Sequence, residues 1–236
     1  MTLSVHIGYD HRQVVSYNVL QTSIVMHAKK PVAITPLCLQ TLPITRMGLT
    51  PFTYSRFLVP WLQDYKGWAL FLDSDILVLG DVAELFAQAD DRYALMVVKN
   101  PRRFEWASVI LFNCGHPANR SLTPEYVEDP KNPLFKFEWL GEDLVGALPS
   151  EWNHLVGYDA PRKDAKLIHY TMGIPAFKET QSSEYAGEWH QIQQAANSTI
   201  SWKALMGQSV HAAHLPDGRV LPLFHPDVKA LQKASA

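Results

Sequence analysis

Strand-like and helix-like segments alternate along the first half of the chain. Leu3-Ser4-Val5-His6-Ile7 reads as a short strand that ends at Gly8-Tyr9-Asp10. Asp10 followed three residues later by Gln13 reads as a capping box. The helix it opens is expected to run to about Ala28, with Val15, Val19 and Val25 among its apolar positions. Pro31 stands just past that end, where helices stop, and Val32 to Leu37 is the next strand. Tyr54 to Leu62 reads as a short helix broken at Pro60. Trp68-Ala69-Leu70-Phe71-Leu72 is apolar without interruption, as a central strand covered on both faces should be. Gly80-Asp81 turns into a short helix over Val82 to Ala87, and Tyr93 to Val98 and Val109 to Phe112 are further strands. Pro117 to Gly157 is irregular, Leu167 to Tyr170 is a late strand, Glu184 to Ala196 is a helix, and irregular packing or a tail follows Val210. Such alternation specifies an α/β layered sheet.

With 236 residues and 47% hydrophobic content, the chain can bury one sizeable core, and a single domain over 1–236 is expected. A formal net charge of −2 lacks the basic excess of a nucleic-acid binder. Cys38 and Cys114 lie far apart and form no Cys-x-x-Cys, which suits two reduced, buried thiols. The opening residues read as a strand rather than a leader, and no apolar run has the length of a membrane span. The expectation is therefore a cytoplasmic protein, free or peripheral to a membrane, in which the sequons Asn119-Arg120-Ser121 and Asn197-Ser198-Thr199 carry no sugar.

The strongest chemical signal is Leu70-Phe71-Leu72-Asp73-Ser74-Asp75, where an apolar strand delivers two carboxylates at its end. Carboxylates are costly to bury unless a cation neutralises them. A hard divalent cation does so and also bridges phosphate oxygens. Ligands of open α/β sheets gather beyond the carboxyl ends of strands, where this pair falls. An isolated Asp-x-Asp more often caps a turn. Here the apolar run before it and Ile76-Leu77-Val78-Leu79-Gly80-Asp81 after it favour a metal site. His169 closes an apolar strand and is either a core histidine or a ligand. Tyr9 is either a packing aromatic or a platform for a base, and the planar fork of Arg56 suits an ion pair or a phosphate. Trp106, Trp139 and Trp152 are candidates to line a sugar site, whereas Arg102-Arg103 reads as a solvated turn and His211-Ala-Ala-His214 as surface.

Tyr54-Ser55-Arg56, Pro60 and Ala69 through Asp81 resemble glycosyltransferase family 8, in which a Tyr-x-Arg helix precedes the Asp-x-Asp strand and Gly-Asp follows it. Val109 to Asn113, Leu148-Pro149 with Trp152-Asn153, and Ile168-His169-Tyr170-Thr171 with Gly173 resemble further family segments in order and spacing. The resemblance covers residues 3 to about 178 and is to a divergent, bacterial-type member. It implies a GT-A fold, with a Rossmann-like mixed central sheet flanked by helices. It also implies a nucleotide-diphosphate sugar donor (a UDP-sugar), Mn2+ or Mg2+, retention of anomeric configuration, and a glycan, lipid or protein acceptor. Under it, residues 1 to about 115 bind the nucleotide, about 116–210 face the acceptor, and 211–236 form a tail.

Carried over residue by residue, Asp73, Asp75 and His169 match the metal ligands. Gly8, Tyr9 and Asp10 match the base-binding segment, while Arg56, Ser74 and Gly173 fall in donor-binding positions. Glu142 and Asp143 stand where the family has an acidic pair near the reacting sugar. Two departures are visible. Trp106-Ala107-Ser108 replaces Asn-Ser-Gly, and Ile174-Pro175-Ala176-Phe177-Lys178 lacks the family's lysine in register. Two other functions fit an Asp-x-Asp after an apolar strand: a haloacid-dehalogenase-type phosphatase, and a nucleotide-sugar-binding protein without turnover.

Overall fold

Six strands form the central sheet of a computed structural model that describes residues 2–101, 103–196, 212–222, 225–228 and 230. Arg102, the sequon at 197–199 and His211 lie outside the described residues. The chain forms two compact units, Met1–Ala196 and Asn197–Ala236. In the first, the strands are β1 (Leu3–Gly8), β2 (Val32–Leu37), β3 (Trp68–Leu72), β4 (Ile76–Val78), β5 (Leu95–Val97), β6 (Val109–Asn113), β7 (Val145–Ala147), β8 (His154–Leu155) and β9 (Leu167–His169). Its helices are α1 (Val14–His27), α2 (Val59–Leu62), α3 (Val82–Phe86), α4 (Pro124–Glu128) and α5 (Ala186–Ala196). In the second, β10 (Ala212–His214) and β11 (Val220–Pro222) pair as an antiparallel hairpin where only a tail was expected.

The central sheet runs β2-β1-β3-β6-β5-β7, with β6 antiparallel to both its neighbours and every other pairing parallel. The alternation of segments predicts an α/β layered sheet, and its mixed character is what the family resemblance implies. Side chains alternate across it. Ala69 and Phe71 of β3 and Ile110 and Phe112 of β6 enter one core, and Leu70, Leu72, Val109 and Leu111 enter the other. All eight are essentially inaccessible. That explains the uninterrupted apolar run, since both faces of a central strand are covered and each fully buried large side chain contributes about 1.5–3 kcal/mol. At the outer edge, the Leu3 N–H donates to the Pro31 carbonyl at 2.9 Å. The odd-numbered residues of β2 therefore direct their backbone groups to β1, and the even-numbered ones, Pro36 included, direct theirs outward.

α1 buries Ser16, Val19, Leu20, Ser23 and Ile24, a stripe at i, i+3, i+4, i+7 and i+8, and leaves Val25 63% exposed. Val25 thus faces solvent, because two serines occupy places an apolar stripe would fill. Ser23 explains itself: its hydroxyl donates to the Leu20 carbonyl and accepts from the Val78 N–H at 3.1 Å, tying α1 to β4. The capping box is also replaced. The Asp10 carboxylate accepts from the Arg12 N–H and guanidinium, and a 3-10 turn over His11–Gln13 precedes α1. Pro60 does not break its helix. A 3-10 turn, Ser55–Leu58, leads into α2, and Pro60 sits in the first turn of α2, where a missing N–H costs nothing. Val145–Ala147 and His154–Leu155 add strands inside the segment that reads as irregular.

A second sheet, β4-β9-β8, leaves the first through Asp73-Ser74-Asp75. β4 and β9 are antiparallel, with Ile76 opposite His169. The Tyr170 N–H donates to the Asp75 carbonyl at 3.0 Å. This register brings a histidine 94 residues downstream to the carboxylates of the strand junction.

Candidate active site

Asp73, Asp75 and His169 form the metal-competent cluster found among the described residues, one ligand atom from each lying within 4.8 Å of the others. Asp73 and His169 are buried and Asp75 is half-buried. His169 Nε2 lies 3.4 Å from Asp75 Oδ1. Asp73 Oδ1, Asp75 Oδ1 and His169 Nδ1 are buried without an aligned hydrogen-bond partner. Asp73 Oδ1 meets Arg56 Nη2 and Asp75 Oδ1 meets His169 Nε2 as ion pairs only, which leaves acceptor capacity on both carboxylates for a further cation. Two carboxylate oxygens and an imidazole suit a divalent cation such as Mn2+ or Mg2+, and these residues fit one.

Charge around the cluster is unbalanced. Burial raises the Asp73 carboxyl above the usual carboxylate range, Arg56 opposes that rise, and Asp75 adds to it. Burial lowers the His169 imidazole, but the carboxylates of Asp75 and Asp73 outweigh it, and the net direction is upward. Arg56 is buried against Asp73, with Nη2 3.0 Å from Oδ1 and Nη1 donating to Oδ2 at 3.2 Å. It also donates to the Ala107 carbonyl at 2.7 Å and the Thr53 carbonyl at 3.0 Å. Its guanidinium carbon lies 4.9 Å from the Phe71 ring centroid. Arg56 is thus a fixed counter-charge and a strut between the 3-10 turn and the strand end.

The cluster opens into a cavity of about 360 Å3. Arg56, Arg103, Glu105, Trp106 and Thr171 share its wall with the three candidate ligands. Of the tryptophans considered for a sugar site, Trp106 is there, whereas Trp152 is buried in a core and Trp139 packs against one. Arg103 is exposed, as a solvated arginine should be, and it also lines this cavity and the next, with its guanidinium paired to Glu142. Glu105 was not singled out from the sequence. Its only signal is a charged residue beside a tryptophan in a run that no strand pattern explains.

The remaining expected residues are placed as follows. Gly8 ends β1 against Phe52, whose ring lies 2.3 Å from where a Cβ would stand; any side chain there would displace a ring of the cavity wall. Tyr9 packs edge-on against Tyr17, with centroids 5.4 Å apart. The Asp10 carboxylate is buried and held by Arg12, which keeps it below the usual carboxylate range. Ser74 is buried between the two aspartates, and Gly173, at φ +114°, lines a different cavity from the cluster. Glu142 and Asp143 are exposed and neither lines the main cavity; Glu142 lines a smaller one that shares Arg103 and Trp106 with it.

No family model matches the chain. The chain is 36% identical over 219 residues to Protein CDI of Arabidopsis thaliana, a similarity that takes in 78% of this chain and 83% of that protein. Three solved structures resemble it. The bifunctional glycosyltransferase WbbM in its apo form has a TM-score of 0.61 at 17% identity, covering 87% of this chain and 51% of its own. The glycosyltransferase GlyE of Streptococcus pneumoniae TIGR4 has 0.60 at 16%, covering 87% and 63%. The galactosyltransferase LgtC, solved with donor and acceptor sugar analogues, has 0.60 at 13%, covering 85% and 99%. The chain therefore spans about half of the WbbM chain, less than two thirds of the GlyE chain and nearly all of the LgtC chain. These likenesses establish the GT-A glycosyltransferase fold that the sequence resemblance implied.

Proposed function

The chain belongs to the family of Protein CDI of Arabidopsis thaliana, and from its fold and candidate site we propose that it is a glycosyltransferase that moves a sugar from a nucleotide-diphosphate sugar, a UDP-sugar, to a glycan, lipid or protein acceptor. The observation that carries this is the Asp73-Asp75-His169 cluster at the junction of the two sheets. In a GT-A fold, that position is where a diphosphate meets its metal. We place the chain in glycosyltransferase family 8, as a divergent member that retains anomeric configuration. It acts in the cytoplasm, free or peripheral to a membrane, which its two free cysteines suit.

Asp73, Asp75 and His169 would hold Mn2+ or Mg2+. When bound, the ion supplies Lewis-acid neutralisation of the charge that develops on a departing diphosphate. The protein's own residues do the rest. Arg56 holds the Asp73 carboxylate in place and opposes the rise that burial imposes on it. Trp106 offers a face to a sugar ring, and Glu105 is the acid on the wall placed to accept from donor hydroxyls. Gly8 to Asp10 close β1 beside Phe52, the side on which the base is assigned to lie. No carboxylate of the main cavity other than Glu105 is free of the metal cluster among the described residues. With Glu105 assigned to the donor hydroxyls rather than to attack, we favour direct same-face transfer over a covalent intermediate.

The test is nucleotide-sugar turnover and product configuration. Incubation with a panel of UDP-sugars and Mn2+ should release UDP, and EDTA should abolish that release. Proton magnetic resonance of the new linkage should show the donor's anomeric configuration. Uridine diphosphate and manganese that fail to raise the melting temperature would remove the donor assignment, and an inverted product would remove the mechanism.

A further inference from the structure

Beside the main cavity lies a smaller one of about 130 Å3, and Arg103 and Trp106 stand in the walls of both. Its volume is about that of four liquid waters, enough for a charged substituent but not for a whole substrate. Its charged walls are Lys99, Arg103 and Lys136 against a single acid, Glu142. The Lys99 ammonium lies 5.8 Å, and the Arg103 guanidinium carbon 5.3 Å, from the Trp106 ring centroid. Two cations thus lie within reach of one aromatic plate.

The single acid is loosely held. Arg103 and Glu142 pair through side chains that are 51% and 83% exposed. Exposed pairs contribute little and are readily exchanged. Lys136 lies 3.8 Å from Glu138, outside the cavity wall, with 74% of its side chain exposed. The Lys99 ammonium donates to the Val145 carbonyl at 2.6 Å, so an anion entering the cavity would meet three cations of which only Arg103 is paired with an acid of the cavity wall. A backbone feature also marks these walls. Of the six non-glycine residues with left-handed backbone among those described, Arg103 (φ +53°), Glu105 (φ +56°) and Phe137 (φ +57°) line these two cavities. Backbone held in that region is costly and concentrates at ligand sites.

We infer that the side cavity receives an anionic substituent, a carboxylate or a phosphate, carried by one of the two sugar substrates that meet in the main cavity. The inference rests on the proposed function. An uncharged sugar would leave three cations with Glu142 as the one acid of the cavity wall. A carboxylate gives Arg103 a planar, two-point partner in place of the carboxylate it releases.

Calorimetry on the full chain tests this in two arms. The first titrates glucuronate, glucose 6-phosphate and glucose, each with and without saturating UDP and Mn2+, as probes of an acceptor. The second compares UDP-glucuronate with UDP-glucose in Mn2+, as probes of a donor. In one arm the charged probe should bind about tenfold more tightly than the neutral one, the worth of one charge-assisted hydrogen bond. Lys136→Glu should erase that preference, and Glu142→Gln should enlarge it, since it frees Arg103. Both positions are exposed, and unchanged melting temperatures establish that the variants fold. A preference in the first arm assigns the anion to the acceptor, and in the second to the donor sugar. Equal affinities in both arms, or a preference that neither variant moves, overturn the inference. UDP that fails to bind sinks the nucleotide-sugar reading by itself, while the titrations without UDP still report on the side cavity.

Discussion

Removal of Arg56 should be the most damaging single change near the site, and for a reason distinct from catalysis. Its side chain is 7% exposed and that of Asp73 11%. Arg56→Met keeps length and the apolar contact with Phe71, but it deletes the bonds to Asp73, Ala107 and Thr53. A carboxylate then stays buried without its cation, which costs about 3–5 kcal/mol. Asp73→Asn removes the stranded charge, so the double variant should be more stable than Arg56→Met alone, with a coupling of about 2 kcal/mol. Urea unfolding followed by tryptophan fluorescence measures all four proteins. Saturating Mn2+ adds a second readout. At about 100 times its dissociation constant, a ligand of the native state contributes about 2.7 kcal/mol. That gain should appear in the Arg56→Met protein, which keeps all three metal ligands, and be absent from the two proteins that carry Asp73→Asn. Losses that add to within about 0.5 kcal/mol would refute the coupling of Arg56 to Asp73, and equal manganese stabilisation in all four would refute the metal assignment.

Three further outcomes follow from other residues. Asp75→Asn should weaken Mn2+-dependent UDP binding by about 10- to 100-fold in calorimetry while leaving the circular dichroism spectrum unchanged; wild-type affinity would count against Asp75 as a ligand. His6 is buried, and burial lowers its imidazole to about 4 from an ordinary value of 6.5. The unfolded chain therefore binds the extra proton between those values, so stability is complete above about pH 6.5 and falls by about 3 kcal/mol as pH drops to about 4. His6→Gln should flatten that part of the stability–pH curve, and parallel curves for the two proteins would contradict the assignment. Ser23→Ala leaves the Val78 N–H without its acceptor, so it should cost about 1–3 kcal/mol by urea unfolding, more than a surface serine could.

The parts of the fold legible in the sequence are those whose side chains face a core. Trp68 to Leu72 and Val109 to Asn113 declare themselves because both their faces are covered, and period and burial then agree. The Asp73 and Asp75 pair was readable for the complementary reason: charge at the end of such a run demands a partner. His169 needed the family resemblance, because only the antiparallel register of Ile76 with His169 joins it to the aspartates. Val25 was misread because Ser16 and Ser23 carry the buried face of α1, where composition alone points to valine. Pro60 was misread as a break because its place in the first turn of α2 depends on the 3-10 turn before it. Arg103 and Glu105 left almost no trace. Their positions come from left-handed backbone in a loop, and no periodicity encodes that. Glu142, which sequence order places near the sugar, lines the side cavity beside Arg103.

The outward-facing Pro36 on β2 bears on how the protein behaves at high concentration. An edge strand offers a row of free donors and acceptors on which another chain can template itself, the first step toward fibrils or swapped dimers. On β2 that row comes from Val32, Ile34 and Pro36, and its last member has no N–H to give. A foreign strand aligned along β2 can be docked at Val32 and Ile34 but finds no donor at Pro36, so its ladder ends after two residues. The proline costs the native sheet nothing, because the groups that β2 uses toward β1 belong to Ala33, Thr35 and Leu37. Pro36→Ala would restore the donor and extend the template by one rung, turning a soluble edge into a stickier one with no change inside the sheet.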